Sequence, residues 1–152
     1  MADITFQELT GFGLATVLPH RGKEAETATL AGSGLTLWAT GPGQSLAFAP
    51  HAEPAWGEAL EERLAPTAHV IDQSSGYSIF ALSGCDAARM LQKGLPIDLS
   101  DHRFPVDHVA VSVIAHIGVI VHRAAPDLFH VATFRSFADS FHHWLDLTAA
   151  TL

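Results

Sequence analysis

Residues 69–99, HVIDQSSGYSIFALSGCDAARMLQKGLPIDL, decide the fold because they place a strand, a turn, a second strand and a helix in immediate succession. The apolar run 77–82 is rich in aromatic and branched residues, which is typical of a buried strand. It ends at Ser83, and apolar residues then recur at helical spacing from Ala87. A strand that turns sharply into a helix is also where many hydrolases place a nucleophile, so Ser83 and Cys85 need a chemical interpretation.

Ser83 fits a helix cap better than a nucleophile. A nucleophile elbow requires G-x-S-x-G, and Ala81 stands where the first glycine belongs. Ser83 and Asp86 instead have the spacing of a capping box, in which side-chain oxygens accept hydrogen bonds from the free amides of the first helical turn. Ser136 and Asp139 repeat this arrangement at the start of the last predicted helix. We therefore predict four structural caps and no catalytic residue.

Cys85 is the only cysteine and would lie in the first turn of the helix, where the helix dipole favours a thiolate. Free cysteines nevertheless usually behave as small apolar residues, and we predict that role here. A single cysteine also excludes a disulfide within the chain and a thiolate cluster for zinc.

The rest of the chain continues to mix paired strands with single helices. Strands are predicted at 35–41, 45–50, 68–72, 108–115, 118–123 and 128–133, and further helices at 54–64 and 137–148. This order is typical of an α+β fold in which helices cover one face of a mostly antiparallel, ferredoxin-like sheet.

The length of 152 residues predicts a single domain, residues 1–152. Residues 1–34 are loosely patterned, and 18–35 are expected to form an exposed loop. The segments 35–72 and 77–148 each contain a strand–helix–strand pattern, which is compatible with a pseudo-repeat.

Charge and composition narrow the function classes. The formal net charge of −8 disfavours nucleic acid and anionic membrane as partners, since both attract basic surfaces. Only 16% of residues are charged, which indicates that some apolar surface is covered by another protein. The sequence contains neither G-x-G-x-x-G after a strand nor a P-loop. The N-terminal stretch lacks the pattern of a signal peptide, so we expect a cytoplasmic location.

Ten histidines call for a test of metal binding. No H-E-x-x-H pair occurs, and the adjacent His142 and His143 point about 100° apart on a helix. His116, His122 and His130 could meet across neighbouring strands, but no carboxylate or thiolate with ligand spacing accompanies them. We predict no metal site and solvent-facing strand positions instead. The remaining histidines are His20, His51, His69, His102 and His108.

The sequence from residue 70 onward resembles the γ subunit family of heterotetrameric sarcosine oxidase. The resemblance covers about residues 69–147 and is weaker over 35–50. It rests on Asp72, Ser74, Leu82-Ser83-Gly84, Asp86-Ala87, Leu91, Lys93-Gly94, Asp98-Leu99, Phe104-Pro105, Arg123, Arg135-Ser136-Phe137-Ala138 and Trp144-Leu145.

The resemblance implies a structural or accessory chain of an enzyme complex. The complex oxidatively demethylates sarcosine to glycine, forms hydrogen peroxide and transfers the methyl carbon to tetrahydrofolate. It implies α, β and δ subunits as partners, with FAD, FMN, NAD, tetrahydrofolate and zinc on those other subunits. It implies a fold similar to the folate-binding aminomethyltransferase domains and no catalytic or cofactor-binding residue in this chain.

The loop PIDLSDHRFP, residues 96–105, is the candidate contact with these partners. Asp98, Arg103 and Phe104 lie close together in it, and Arg and Phe are frequent interface anchors. In the alternative interpretation Phe104 packs under its own sheet.

A second hypothesis is a free-standing folate-binding protein for one-carbon transfer, of the aminomethyltransferase type. Such a pocket needs a carboxylate and an aromatic wall, which Asp72, Tyr77 and Arg135 could supply. The chain is less than half the size that the resemblance implies for that enzyme, and folate titration separates the two hypotheses.

Overall fold

The computed structural model describes all residues, 1–152, and confirms the α+β class with antiparallel pairing throughout. The nine strands are β1 (Thr5–Glu8), β2 (Gly13–Pro19), β3 (Thr36–Gly41), β4 (Gln44–Ala49), β5 (Ala68–Asp72), β6 (Tyr77–Ser83), β7 (Val109–Ile114), β8 (Ile117–Ala125) and β9 (Leu128–Phe134). The helices are α1 (Glu24–Ala31), α2 (Trp56–Leu64), α3 (Ala87–Gln92) and α4 (Ala138–Ala150), and a 3₁₀ turn at Arg135–Phe137 precedes α4.

The strands form two sheets in two compact units. One unit contains Met1–Leu9 and Tyr77–Leu152, and the other contains Thr10–Gly76. The division falls between the two predicted halves, at Gly76. Whether the chain behaves as one domain stays a prediction.

The larger unit contains a five-stranded sheet in the order β1-β6-β9-β8-β7. Alternate residues of its strands pack against α3 and α4, as two-residue periodicity requires. Phe80 and Phe141 meet edge to face with 5.1 Å between ring centroids, and both are almost fully buried. Burying a side chain of this size contributes about 2–3 kcal/mol. Met90 and Leu91 complete the predicted face of α3.

The smaller unit contains a four-stranded sheet in the order β3-β4-β2-β5. Leu60 and Leu64 of α2 are buried against Ala15, Val17 and Val70, as the helical spacing predicts. The β3–β4 hairpin turns at the expected Pro42-Gly43 and stacks Trp38 on Phe48 with 4.9 Å between ring centroids.

The prediction that residues 18–35 are exposed is confirmed for most of them, but the prediction that they form a loop is wrong. Residues 24–31 form α1, and β2 lies at the centre of its sheet between β4 and β5. Only Thr27 and Ala31 of α1 are buried, so the helix shows almost no apolar periodicity. The position of β2 depends on its two neighbouring strands, which a local pattern does not contain.

Candidate functional site

The strand end at Ser83 fastens the N-terminal strand and does not cap α3. Ser83 still belongs to β6, and its Oγ lies 2.8 Å from Oγ1 of Thr5 on the paired strand β1. Asp86 occupies the N-cap position, but no side-chain hydrogen bond caps the helix. Its Oδ2 instead accepts a hydrogen bond from the amide of Asp3 at 2.8 Å, and its Oδ1 lies 3.3 Å from Arg89. The capping-box prediction for this helix is therefore wrong, because Ser83 and Asp86 form their hydrogen bonds with Thr5 and Asp3, which are distant in sequence.

Asp3 is held by residues 84–86 through reciprocal hydrogen bonds. The amide of Asp86 donates to the carbonyl of Asp3 at 3.1 Å, and the amide of Cys85 donates to the Asp3 carboxylate at 3.0 Å. Gly84 has φ +123°, and a Cβ at this position would overlap the Asp3 carbonyl. The glycine is thus required by a backbone conformation and by a close approach of two chain segments.

Cys85 lies in an acidic environment that makes it a poor nucleophile. A hydrogen bond with the Asp3 carboxylate raises the pKa of the exposed thiol, and the charges of Asp86 and Asp127 raise it further. The same contacts lower the pKa of Asp3, chiefly through the amide of Cys85. Thiolate formation is therefore suppressed, which argues against the reactive-cysteine interpretation.

The second predicted cap is also absent. Ser136 lies within the 3₁₀ turn Arg135–Phe137, and α4 begins only at Ala138, with Phe137 at its N-cap position. No side-chain hydrogen bond caps either element. The tight turn moves the helix start past Ser136, so Asp139 only contributes negative charge near the helix N-terminus.

The loop 96–105 is organised by Arg123, a role that the sequence alone does not reveal. The Arg123 guanidinium is buried and donates to the carbonyls of Phe104 at 2.8 Å, Leu99 at 3.4 Å and Pro126 at 2.8 Å. It also donates to Asp101 Oδ1 at 2.7 Å. The sequence does contain one indication of this role, a charged residue within the otherwise apolar strand IGVIVHRAA. A buried arginine is almost always paired, so this position predicts hydrogen-bonding partners.

The three predicted contact residues of this loop differ in accessibility. Phe104 is 5% exposed and belongs to the core of its own unit, as the alternative interpretation expected, so it is not available as an exposed anchor. Asp98 and Arg103 are exposed. Asp98 accepts a hydrogen bond from the amide of Ser100 at 2.9 Å, which is the main reason its pKa is lowered. Asp98 and Arg103 stay candidate contacts.

Two of the ten histidines form a stacked pair on the five-stranded sheet, in which His122 is buried and His130 is half-buried. The rings of His122 and His130 stack with 6.0 Å between centroids, and His122 Nε2 lies 3.6 Å from Asp107 Oδ1. Burial lowers the pKa of His130 to about 4 and also lowers the pKa of His122. The expectation of a solvent-facing position is wrong for His122, which is 3% exposed, whereas His130 keeps partial exposure. His116 lies apart from them in the β7–β8 turn, and no group of three or more His, Cys, Asp or Glu side chains is arranged to hold a metal ion.

The residues of the folate hypothesis do not form one site within either unit. Asp72 belongs to the smaller unit, where its carboxylate accepts a hydrogen bond from the amide of Ser74 at 2.9 Å and lies against Gly57. Tyr77 belongs to the larger unit and packs on Phe134, with 5.0 Å between ring centroids. Burial raises the pKa of the Tyr77 hydroxyl.

None of the four α-helices has the length and apolar character needed to cross a lipid bilayer.

The fold recurs in proteins that bear little sequence similarity to this chain. Glycine cleavage system aminomethyltransferase T from Bartonella henselae superposes with a TM-score of 0.71 at 18% identity, over 95% of this chain and 45% of that one. A chain of heterotetrameric sarcosine oxidase from Corynebacterium sp. U-96, solved in complex with pyrrole 2-carboxylate, superposes with a TM-score of 0.85. Its sequence is 25% identical, over 97% of this chain and 84% of that chain. The class of protein defined here is therefore an α+β chain with the aminomethyltransferase-like fold.

The chain belongs to the sarcosine oxidase gamma subunit family, whose family model matches residues 21–151. The sarcosine oxidase subunit gamma of Arthrobacter sp. is 32% identical over 132 residues, which cover 87% of this chain and 64% of that relative. The corresponding subunit of Corynebacterium sp. (strain P-1) is 28% identical over 137 residues, covering 89% of this chain and 68% of that relative. The match thus spans less than two thirds of the length of the Arthrobacter protein.

Proposed function

We propose that this chain is the gamma subunit of a heteromeric sarcosine oxidase and that it serves assembly of the complex instead of its chemistry. The observation that carries the proposal is the superposition of 97% of the chain on a chain of heterotetrameric sarcosine oxidase, together with its family membership. The partners are then the alpha, beta and delta subunits, and the location is the cytoplasm.

In this proposal the complex oxidises the N-methyl group of sarcosine. Glycine is released, molecular oxygen is reduced to hydrogen peroxide, and the methyl carbon passes to tetrahydrofolate. FAD, FMN, NAD, tetrahydrofolate and zinc belong to the other subunits, while this chain contributes no redox group.

The contacts of the chemically suggestive side chains support an accessory role. Ser83 and Asp86 fasten the N-terminal segment, and Arg123 holds the carbonyls of a loop. The only thiol, Cys85, has a raised pKa. Ser83, Asp86 and Arg123 are therefore engaged in local structure, and Cys85 is poorly suited to nucleophilic attack.

The test measures sarcosine-dependent formation of hydrogen peroxide in extracts of the native cells with and without this chain. We expect the activity to be lost without the chain and restored by the wild-type chain. Variants of the candidate chemical residues, Asp72→Asn, Cys85→Ala and Arg135→Gln, should restore it equally, since an accessory subunit contributes no reacting group.

Unchanged peroxide formation in the absence of the chain would refute its membership in the oxidase. A variant that assembles with the other subunits but leaves the complex inactive would instead assign a catalytic role to the substituted residue. Folate titration of the isolated wild-type chain is the control for the one-carbon-transfer hypothesis, and the accessory role predicts no saturable binding.

A further inference from the structure

Strand β7, residues Val109–Ile114, is an unpaired and unusually apolar edge of the five-stranded sheet. The sheet order β1-β6-β9-β8-β7 places β8 on one side of it and no strand on the other. Its sequence is VAVSVI, without charge, proline or glycine. Its register with β8 is uninterrupted from Val109 to Ile114. A strand with these properties is a template for another extended chain.

Three residues of β7 direct their backbone groups to this open side. The amide of Arg123 donates to the carbonyl of His108 at 3.0 Å, which fixes which residues bond to β8. Because bonding alternates along an antiparallel strand, Ala110, Ser112 and Ile114 also pair with β8. The N–H and C=O groups of Val109, Val111 and Val113 therefore point outward, and they can pair only with an added strand or with water.

The side chains beside this edge form an exposed apolar surface. Val111 is 61% exposed and Val113 is 50% exposed, and both lie on the sheet face opposite the helices. Phe134 on β9 is 54% exposed and packs on Tyr77. Gly118 lies opposite Val113 on β8 and has no neighbour within 4 Å of a Cβ position. A partner strand bearing alternate apolar residues would bury this surface.

The other sheet edges carry features that discourage pairing. Strand β1 has only four residues and ends in Glu8. Strand β3 has an irregular register between Ala39 and Gly41. Strand β5 exposes the charge of Asp72. Natural sheets protect their edges with short strands, charges and irregularities of this kind, and β7 has none of them.

We propose that β7 is the docking edge for an extended segment of a partner subunit, which adds a sixth strand to the sheet. This proposal rests on the proposed function, since it requires the chain to assemble with other subunits. The pairing supplies backbone hydrogen bonds to Val109, Val111 and Val113, and alternate apolar side chains of the partner cover the valines.

Charge favours a different polypeptide over a second copy of this chain. The carboxylate of Asp107, two residues before β7, has a 79% exposed side chain, and its neighbour His122 is an imidazole whose pKa is lowered by burial. The whole chain carries a formal net charge of −8, so two copies repel each other. The partner segment should therefore carry lysine or arginine at the end that lies opposite Asp107.

The direct test compares hydrogen exchange of β7 in the free chain and in the complex isolated from its native cells. We expect the amides of Val109, Val111 and Val113 to exchange rapidly in the free chain and at least about tenfold more slowly in the complex, since paired amides exchange only through local opening. Unchanged exchange of these amides in the complex would overturn the proposal.

A proline substitution tests the same hydrogen bonds by assembly. Val111→Pro removes an outward N–H and leaves the bonds to β8 in place, which edge strands tolerate. The matched control is Glu8→Pro, because the amide of Leu9 donates to Ile79 and bonding alternates, so the Glu8 N–H points outward from β1. We expect Val111→Pro to reduce recovery of the other subunits about tenfold and Glu8→Pro to leave it unchanged.

The outcomes separate this inference from the proposed function. If the wild-type chain recovers no sarcosine-oxidising subunits, both fail. If the wild-type complex forms and a folded Val111→Pro chain joins it equally well, only the docking edge fails. If Val111→Pro unfolds, Val113→Lys retains every N–H and should still block docking by placing a charge on the apolar face. A free chain that dimerises with protected β7 amides would overturn the assignment to a different subunit.

Discussion

Replacing Arg123 with methionine should destabilise the protein by about 3 kcal/mol. Methionine keeps the apolar stem beside the Phe129 ring, which lies 5.2 Å from the guanidinium carbon, and removes only the hydrogen-bonding group. The carbonyls of Phe104 and Leu99 are buried and lose their donors. An unsatisfied buried carbonyl costs about 1–3 kcal/mol. The longer bond to Leu99, at 3.4 Å, contributes the smaller share, and Pro126 lies at the surface, where water replaces the lost donor.

The assay is urea unfolding followed by tryptophan fluorescence and circular dichroism, with hydrogen exchange across residues 99–108 as a local measure. Asp101→Asn is the matched control, because its ion pair with Arg123 has a 95% exposed partner and should contribute less than about 1 kcal/mol. An Arg123→Met protein that loses less than about 1 kcal/mol and keeps the loop protected would refute the reasoning that this guanidinium organises the loop.

Three further changes test other parts of the structure. Gly84→Ala should lower the free energy of unfolding by at least about 2 kcal/mol, because of the positive φ and the overlap with Asp3, whereas Gly118→Ala, with open space around it, should shift thermal unfolding by no more than a degree or two. Asp3→Asn should lower the pKa of the Cys85 thiol and speed its alkylation at neutral pH, and an unchanged rate would contradict the assigned cause. Stability should fall as pH drops from about 6.5 towards 4, because His130 binds a proton in the unfolded chain while its lowered pKa keeps it neutral in the folded protein. His130→Gln should flatten this part of the pH profile measured by urea unfolding.

Local patterns were sufficient where secondary structure depends on neighbouring residues. The run 77–82 predicted β6, which ends one residue later at Ser83, and the spacing of Leu60 and Leu64 predicted the buried face of α2. These segments carry strong periodicity, so tertiary contacts reinforce a preference that the sequence already displays.

Local patterns failed where a segment distant in the sequence determines the contacts of a residue. The spacing of Ser83 and Asp86 fits a capping box, but Thr5 and Asp3 bind these side chains from about 80 residues earlier in the chain. Strand β2 contains no clear alternation, since the successive residues Gly13, Leu14 and Ala15 are all buried and both faces of the strand are covered there. Arg123 donates hydrogen bonds to the carbonyls of Phe104 and Leu99, about 20 residues earlier. None of these partners is visible within a sequence window.

The outward amides of β7 could not be predicted from the sequence for a different reason. The sequence 109–114 predicts a strand, but only the sheet order shows that the strand lies at an edge. The parity of hydrogen bonding, which selects Val109, Val111 and Val113, depends on the register with β8. A docking edge is thus a property of the sheet topology. The residue types of β7 indicate docking only once the strand is known to lie at an edge.

The measurement that tests the central claim most directly is native mass spectrometry of this chain, tagged and isolated from its own cells. The account predicts a complex in which one 16.2 kDa chain is bound to larger flavin-containing subunits, and in which the complex, but not the separated chain, oxidises sarcosine. A colourless chain that appears alone or only with copies of itself would contradict it.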